Sequence, residues 1–335
     1  MPDIIKGIPN KKFISFIIRP YVSSEFNIYA DIPGHEANYG SFSNLIACLK
    51  IYFFARRYKN SIFQVFNIGP LYLLILQIAG VKNIIYSIHG TIYWKNSIEK
   101  KYRKALWKLI NKRNVKLISN SEFSKKTFID KIYCKAKIQV IYNPINGERF
   151  HPLFTKKNSG ILKIIYAGRL AHGKGLEKWI ELAFRIHKVI DKTQFGIFGS
   201  GPLTEMLRDI IHNYNADEFI FIEGFRKDIE NVYSNADLLL YLSEYESFGN
   251  VVVESILCGT PVIALDIPSM REIFCNYPEF LISAENDLFQ QIYDKLLNYN
   301  YLFLSAQKAR DEFLVRFSFN EHINSLNKIY NSFND

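Results

Sequence analysis

Short runs of β-branched and aromatic residues alternate with longer segments of 3.6-residue hydrophobic period along almost the whole chain, and this alternation restricts the fold more than any single residue does. Strands this apolar need cover on both faces. A strand–helix–strand order supplies it through crossover helices, so the chain is read as α/β with parallel sheets. In a first array, strands are predicted at 13–18, 62–67, 83–88, 115–119 and 137–141, and helices near 43–59, 70–79, 96–111 and 122–133, with 20–38 read as loop. Asn143-Pro144 and the polar stretch 155–160 then break the period and mark a linker. A second array follows, with strands at 162–167, 194–198, 219–222, 238–242 and 261–264 and helices near 175–190, 202–213, 227–235 and 249–258. Two or more helices close the chain from about 284 to 334. At 335 residues the length exceeds the usual single domain, and two doubly wound Rossmann-like domains facing across a cleft are the economical solution.

Charge separates the two arrays. Residues 1–150 carry 24 Lys+Arg against 8 Asp+Glu, a net +16, whereas residues 151–335 carry 18 against 24, a net −6. A composition rich in Ile, Lys and Asn accounts for part of the total of +10 but not for the asymmetry. The densest basic segment, 94–116, holds Lys95, Lys100, Lys101, Arg103, Lys104, Lys108, Lys112, Arg113 and Lys116 against the single acid Glu99. Within it Ile98, Tyr102, Ala105, Leu106 and Leu109 recur at helical spacing and are read as the core-packed face, with the cations on the remaining faces. A surface of this kind is expected to meet anionic lipid, rather than nucleic acid, through the N-terminal domain. Cys48, Cys134, Cys258 and Cys275 lie far apart without metal-ligand spacing, so neither a structural metal nor a disulfide framework is expected. The most apolar stretch, 71–79, is too short to span a bilayer, and no leader segment precedes it. A cytoplasmic protein, peripheral on the inner face of the membrane, is the expectation.

Three constellations carry chemistry. Gly168-Arg169-Leu170-Ala171-His172-Gly173-Lys174-Gly175 lies where a strand passes into a helix, the place at which doubly wound sheets hold phosphates. Its glycines admit an anion to the backbone, and Arg169 and Lys174 supply charge. The spacing approaches that of a P-loop, but Gly175 stands where the metal-binding hydroxyl belongs. The second is Gly199-Ser200-Gly201-Pro202, with Pro202 assigned to the first helical turn; Thr204 replaces the third glycine that a dinucleotide fingerprint needs. The third runs from Ser243 through Glu246, Phe248, Gly249, Asn250, Val251 and Glu254 to Cys258-Gly259-Thr260-Pro261. Ser247 or Gly249 can start its helix and Gly259 can end it. Glu254 sits among Val251, Val252, Val253, Ile256 and Leu257, so its carboxylate is expected to be enclosed and to need a partner. A vicinal diol would serve, and so would an arginine or lysine of the protein itself.

These motifs, in this order, resemble those of family 4 of the glycosyltransferases, which are retaining enzymes of GT-B fold. The likeness runs from about Tyr86 to the end and includes Ile141-Tyr142-Asn143-Pro144, Asn235-Ala236-Asp237 and Phe317-Ser318-Phe319. The resemblance implies an acceptor-side domain at 1–150, a nucleotide-sugar domain at 151–316, and a last helix at 317–335 returning to the first domain. It implies that Arg169 and Lys174 hold a diphosphate, that Glu254 binds ribose hydroxyls, and that Glu246 binds sugar hydroxyls. Gly168, Gly199, Gly201 and the amides of Phe248, Gly249, Asn250 and Val251 would complete the donor site, with Phe225 near the base. His89, with Gly90 after it, corresponds to the family's histidine beside the anomeric carbon. Gly40 is the nearest counterpart of the family's glycine loop on the acceptor side.

The implied reaction moves a sugar from a nucleotide-diphosphate sugar, UDP favoured over GDP, to a glycan or polyprenyl-linked acceptor in bacterial surface polysaccharide synthesis, such as lipopolysaccharide or capsule. No metal or other cofactor is expected. The competing readings are a sugar-nucleotide epimerase of GT-B fold, a P-loop phosphohydrolase, and a non-enzymatic basic membrane-binding protein.

Overall fold

The computed structural model describes residues 15–19, 34–38, 44–67, 69–90, 97–110, 112–132, 137–153 and 160–333. The chain divides into two compact units, Met1–Tyr142 together with His322–Asp335, and Asn143–Glu321.

In the first unit, β1 (Ser15–Arg19) and β2 (Gly34–Asn38) pair in parallel, Ser15 opposite Gly34. The reading of 20–38 as loop is therefore corrected at its end. The sequence Gly-His-Glu-Ala-Asn has no β-branched run to announce a strand. A parallel neighbour supplies the hydrogen bonds, and tertiary pairing overrides propensity.

Four further strands, β3 (Ile62–Phe66), β4 (Asn83–Ile88), β5 (Val115–Ser119) and β6 (Ile138–Val140), form a parallel sheet in sequence order. Helices α1 (Asn44–Arg57), α2 (Pro70–Ile78), α3 (Ser97–Leu109) and α4 (Glu122–Ile132) send Ile51, Ala55, Leu73, Leu76, Trp107 and Phe128 into one core. Ile84, Tyr86 and Ile88 of β4 and Val115 and Leu117 of β5 enter the same core, so alternation along the strands puts all four helices on one face of the sheet. The intervening residues face the other way. There Tyr330, on the last helix, gives its hydroxyl to Gln64 of β3, and Lys116 of β5 donates to the Ser332 carbonyl at 2.8 Å with its ammonium over the Phe333 ring. The sheet is thus covered on both sides, as its apolar strands require.

Helix α3 is oriented differently from the expectation. Trp107 and the following Ile110 are buried, while Tyr102, Ala105 and Leu109 are exposed. A single large indole meeting Tyr86 and Phe128 edge-on sets the helix rotation, and Tyr102, Ala105 and Leu109 turn outward while Leu106 is half-buried.

In the second unit β7 (Leu162–Ala167), β8 (Thr193–Phe198), β9 (Ile220–Gly224), β10 (Leu238–Tyr241), β11 (Val262–Leu265) and β12 (Leu281–Ile282) form an all-parallel sheet ordered β12-β11-β10-β7-β8-β9. Crossover helices are α5 (Leu176–Val189), α6 (Thr204–Asn213), α7 (Ile229–Asn235), α8 (Asn250–Leu257) and α9 (Pro268–Ile273). Then come α10 (Leu288–Leu297), α11 (Tyr299–Arg316) and α12 (Phe319–Asn331), the last of which crosses into the first unit at His322. The short α9 and β12 fell below what periodicity can register. Pro202 precedes α6 instead of lying in its first turn, because Leu203 and Thr204 first close a turn on the carbonyls of Leu170 and Gly201.

Among the described residues no helix is long and apolar enough to cross a membrane.

Candidate donor site at the strand ends

Strand order in the second sheet runs one way from β7 to β9 and the other way from β10 to β12. The chain segments leaving β7 and β10 therefore diverge and open a crevice at the carboxyl ends of these two neighbours, the position where open α/β sheets bind ligands. The first and third motifs lie there. The Glu244 amide donates to the Gly173 carbonyl at 3.0 Å, tying one loop to the other.

Two glycines let neighbouring loops come this close, Gly175 between those after β7 and β10 and Gly199 between those after β7 and β8. Gly175, with φ +66°, precedes α5, and a Cβ on it would stand 2.3 Å from the Leu242 carbonyl oxygen. A serine there is excluded, which removes the P-loop reading on geometry as well as on sequence. Gly199, with φ +148°, brings its backbone so near the Gly168 carbonyl that a Cβ would lie 1.8 Å from the oxygen.

Lys174 and Glu246, both largely covered, form an ion pair inside this crevice. The same carboxylate oxygen accepts hydrogen bonds from Tyr241 at the end of β10 and from Ser243 at 3.1 Å. Tyr166, on β7, stacks on Tyr241 with ring centroids 6.0 Å apart. Burial, and then the negative charge of Glu246, raise both phenols above their usual range, so they remain donors at any physiological pH. The sequence reading assigned Lys174 to a phosphate and Glu246 to a sugar; here they are also partners of each other. Arg169 is exposed beside them.

Glu254 projects from α8. Its Oε2 accepts from the Tyr233 hydroxyl at 3.0 Å. Burial pushes its carboxyl up to about 7, against the opposing effects of the Tyr233 hydrogen bond and the Arg149 charge. Enclosure was expected, but the partner is neither of the two foreseen. Among the described residues no cation pairs with Glu254, because Arg149 is bound to Glu230 at 2.8 Å and to the Lys227 carbonyl at 2.6 Å. The sequence motifs include Ser243 but not Tyr166, Tyr233 or Tyr241. The signal for Tyr241 was positional, since it stands two residues before the motif that begins at Ser243.

Gly249 starts α8 in a left-handed conformation, and the first amides of a helix lack an intrahelical acceptor. Phe248 is buried against Phe317 with centroids 5.4 Å apart, so it can serve a ligand only through its backbone. The Asn250 amide oxygen accepts from Asn143 at 2.9 Å, and Val251 follows within the first turn. Phe225 is 59% exposed just after β9. Beside it Arg226 binds Asp228 in a bidentate pair at 2.7 and 2.9 Å, which holds the aspartate below the usual carboxylate range.

In the first unit His89 follows β4. Its amide donates to Asn67 Oδ1 at 2.8 Å, and its ring lies 5.2 Å from that of Phe66. Burial, with His322 adding to it, lowers its pKa to about 4, so the imidazole is neutral at pH 7. Gly90 follows directly. Asn120, buried at the end of β5, donates its backbone N–H to the Ile88 carbonyl at 3.1 Å, and its Oδ1 has no donor among the described residues. Gly40 lies outside the described residues. Among the described residues no group of three His, Cys, Asp or Glu side chains could hold a metal ion.

Comparison with known proteins shows what the chain as a whole is similar to. The model for glycosyl transferases group 1 matches residues 150–305, and that for glycosyltransferase family 4 matches residues 28–149. The chain is 31% identical over 126 residues to the UDP-N-acetylglucosamine–peptide N-acetylglucosaminyltransferase GtfA subunit of Streptococcus pneumoniae, covering 37% of this chain and 25% of the relative. It is 25% identical to an Escherichia coli UDP-Gal:α-D-GlcNAc-diphosphoundecaprenol α-1,3-galactosyltransferase, over 78% of this chain and 72% of the relative. The chain spans between 25% and 44% of the length of the first three curated relatives it matches. Among solved structures, Anabaena HepE in complex with UDP-glucose superposes with a TM-score of 0.73 at 18% identity, over 90% of this chain and 86% of that one. With two parallel-sheet Rossmann-like units and matches to both family models, the chain belongs to the family 4 glycosyltransferases and has their GT-B fold.

Proposed function

We propose that the protein transfers a sugar, with retention of configuration, from a nucleotide-diphosphate sugar, UDP favoured over GDP, to a polyprenyl-linked or glycan acceptor. The observation that carries this reading is the assembly of Lys174, Glu246, Glu254 and the start of α8 at the carboxyl ends of β7 and β10. Similarity to an enzyme named for a UDP-galactose donor and a diphosphoundecaprenol-linked acceptor supports the choice of substrates; a role in bacterial surface polysaccharide synthesis is part of the same proposal.

In this mechanism Glu254, as a carboxylate, accepts the ribose hydroxyls. Arg169 and the α8 amides meet the diphosphate, and Lys174 leaves its exclusive pairing with Glu246 to share that charge. Glu246 stays in place because Tyr241 and Ser243 still hold it, and so it can position hydroxyls of the donor sugar. The bond from the anomeric carbon to the β-phosphate oxygen breaks as the acceptor oxygen attacks on the same face. The acceptor proton passes to the departing phosphate. Charge that develops on the leaving group is met by fixed cations and amides, the task a metal ion performs in other transferases. Neutral His89 is assigned to the sugar on the acceptor side as a hydrogen-bonding group. An anionic membrane would be the second partner, met through the +16 N-terminal half on the cytoplasmic face.

Incubation with UDP-, GDP- and ADP-sugars and a polyprenyl-diphosphate-sugar acceptor, read by mass spectrometry, tests the reading. The expected product is one added sugar from a UDP donor, at a rate unchanged by EDTA. Failure to transfer or hydrolyse any nucleotide sugar would leave the non-enzymatic alternative. Loss in EDTA with recovery by Mn²⁺ would overturn the metal-free mechanism.

A further inference from the structure

The large hydrophobic side chains that stand exposed among the described residues of the first unit are not scattered. Leu49 and Phe53 lie on α1, Ile78 at the end of α2, and Tyr102 and Leu109 on α3, at 49%, 66%, 64%, 52% and 66% exposure. These helices are neighbours, α1 against α2 and α2 against α3, and all pack their other side into the core beneath. The exposed residues therefore belong to the outer surface of one helical layer. On α3, Tyr102, Ala105 and Leu109 are spaced three and four apart and form a continuous ridge.

The exposed charged side chains described on these helices are all basic. Exposed Lys50, Arg56 and Arg57 lie on α1, and exposed Lys101 and Lys108 flank the ridge on α3. The sequences of α1 and α2 contain no acid, and α3 contains Glu99 alone. A water-facing layer gains nothing from turning Phe53 and Leu109 outward. An amphipathic surface lying in a membrane interface needs both features, apolar side chains that reach the acyl boundary and cations level with the headgroups.

We propose that the outer face of the α1–α3 layer is a bilayer-inserting surface, on which Phe53, Ile78, Tyr102 and Leu109 enter an anionic membrane and the surrounding lysines and arginines meet its headgroups. This rests on the reading that the acceptor is met at an anionic membrane, and it changes the nature of that attachment from a purely electrostatic contact to one with an apolar component. Salt then weakens binding by screening the cations but does not abolish it.

The full chain is to be cosedimented with phosphatidylglycerol–phosphatidylcholine vesicles, beside the double variant Phe53→Ser/Leu109→Ser. The variant is expected to partition about tenfold or more weakly at low salt, with melting temperature and UDP binding unchanged, since both positions are exposed and lie outside the donor site. A Tyr102→Trp reporter, with the three native tryptophans subtracted, is expected to shift to the blue on bound vesicles and to be quenched by lipid brominated on its tails. Unchanged partitioning of the double variant, or a bound reporter that brominated lipid does not quench, overturns the proposal. So does a concentration-dependent dimer in sedimentation velocity that the same two substitutions abolish, because the face would then belong to a second copy. Failure of UDP to bind, with insertion intact, would count against the donor site alone.

Discussion

Both units end their strands in loops that gather polar residues, but they fill those loops in different ways. In the second unit the loops after β8 and β10 are both locked backbone to backbone against the loop after β7, and charged side chains are compensated within the crevice: Lys174 by Glu246, Glu246 further by Tyr241 and Ser243, and Glu254 by Tyr233. In the first unit the corresponding edge holds a neutral His89, an Asn67 that accepts from its backbone amide, and an Asn120 whose side-chain oxygen has no donor among the described residues. One edge is organised in advance for a charged ligand. The other offers uncharged hydrogen-bonding groups, which suit sugar hydroxyls. The contrast teaches that the proposed division between a donor side and an acceptor side would have an electrostatic counterpart in the chain, with net charge and local compensation set independently.

The largest expected effect tests the locking. Gly199→Ala forces a methyl group to within 1.8 Å of the Gly168 oxygen and must displace the loop, at a cost of roughly 2–4 kcal/mol. In the first unit, a Cβ on Gly90 meets nothing nearer than Asn67 Nδ2 at 3.5 Å, so Gly90→Ala should cost less than about 1 kcal/mol. Urea unfolding of both variants compares the two edges directly, and equal costs would show that neither is locked.

Next in size are the charged partners. Lys174→Ala and Glu254→Gln should each lower transfer by about tenfold or more, since a charged hydrogen-bond partner contributes on the order of 1.5–3 kcal/mol. Their melting temperatures should stay within a few degrees of the parent. Full activity in both variants would break the assignment of the donor site.

A smaller effect has opposite signs at the two edges. Glu254 is raised to about 7, so the stability tied to its protonated form is fully present below about 4.5 and is lost as pH rises through about 7. His89 is lowered to about 4, so the stability tied to its neutral form is fully present above about 6.5 and is lost as pH falls through about 4. Relative to the parent, Glu254→Gln should therefore gain stability as pH rises between these limits, and His89→Asn should gain as it falls. Melting curves across that window check both signs, and slopes of the same sign would show that one edge has been misread.

The predicted spans of β4, β5 and β7 coincide with the observed strands, because buried parallel strands are written as unbroken apolar runs. The glycine turns of the candidate site were legible for the same local reason: Gly175, Gly199 and Gly249 mark turns that need glycine beside charged residues. What could not be read depends on contacts between distant parts of the chain. Gly34–Asn38 becomes a strand only beside Ser15–Arg19. Tyr233 reaches Glu254 across 21 residues. The rotation of Ser97–Leu109 follows from Trp107 meeting Tyr86 and Phe128, and no periodicity count weighs one indole against five smaller residues.

The central claim is that Glu254 and Lys174 hold a nucleoside diphosphate at the carboxyl ends of β7 and β10, and calorimetric titration with UDP tests it most directly. The account predicts binding at pH 8 that weakens by about tenfold per unit below about pH 7 as Glu254 takes up its proton. In Glu254→Gln this pH dependence should be absent, and in Lys174→Ala it should persist at uniformly lower affinity. UDP binding of equal strength and equal pH dependence in all three proteins would contradict it.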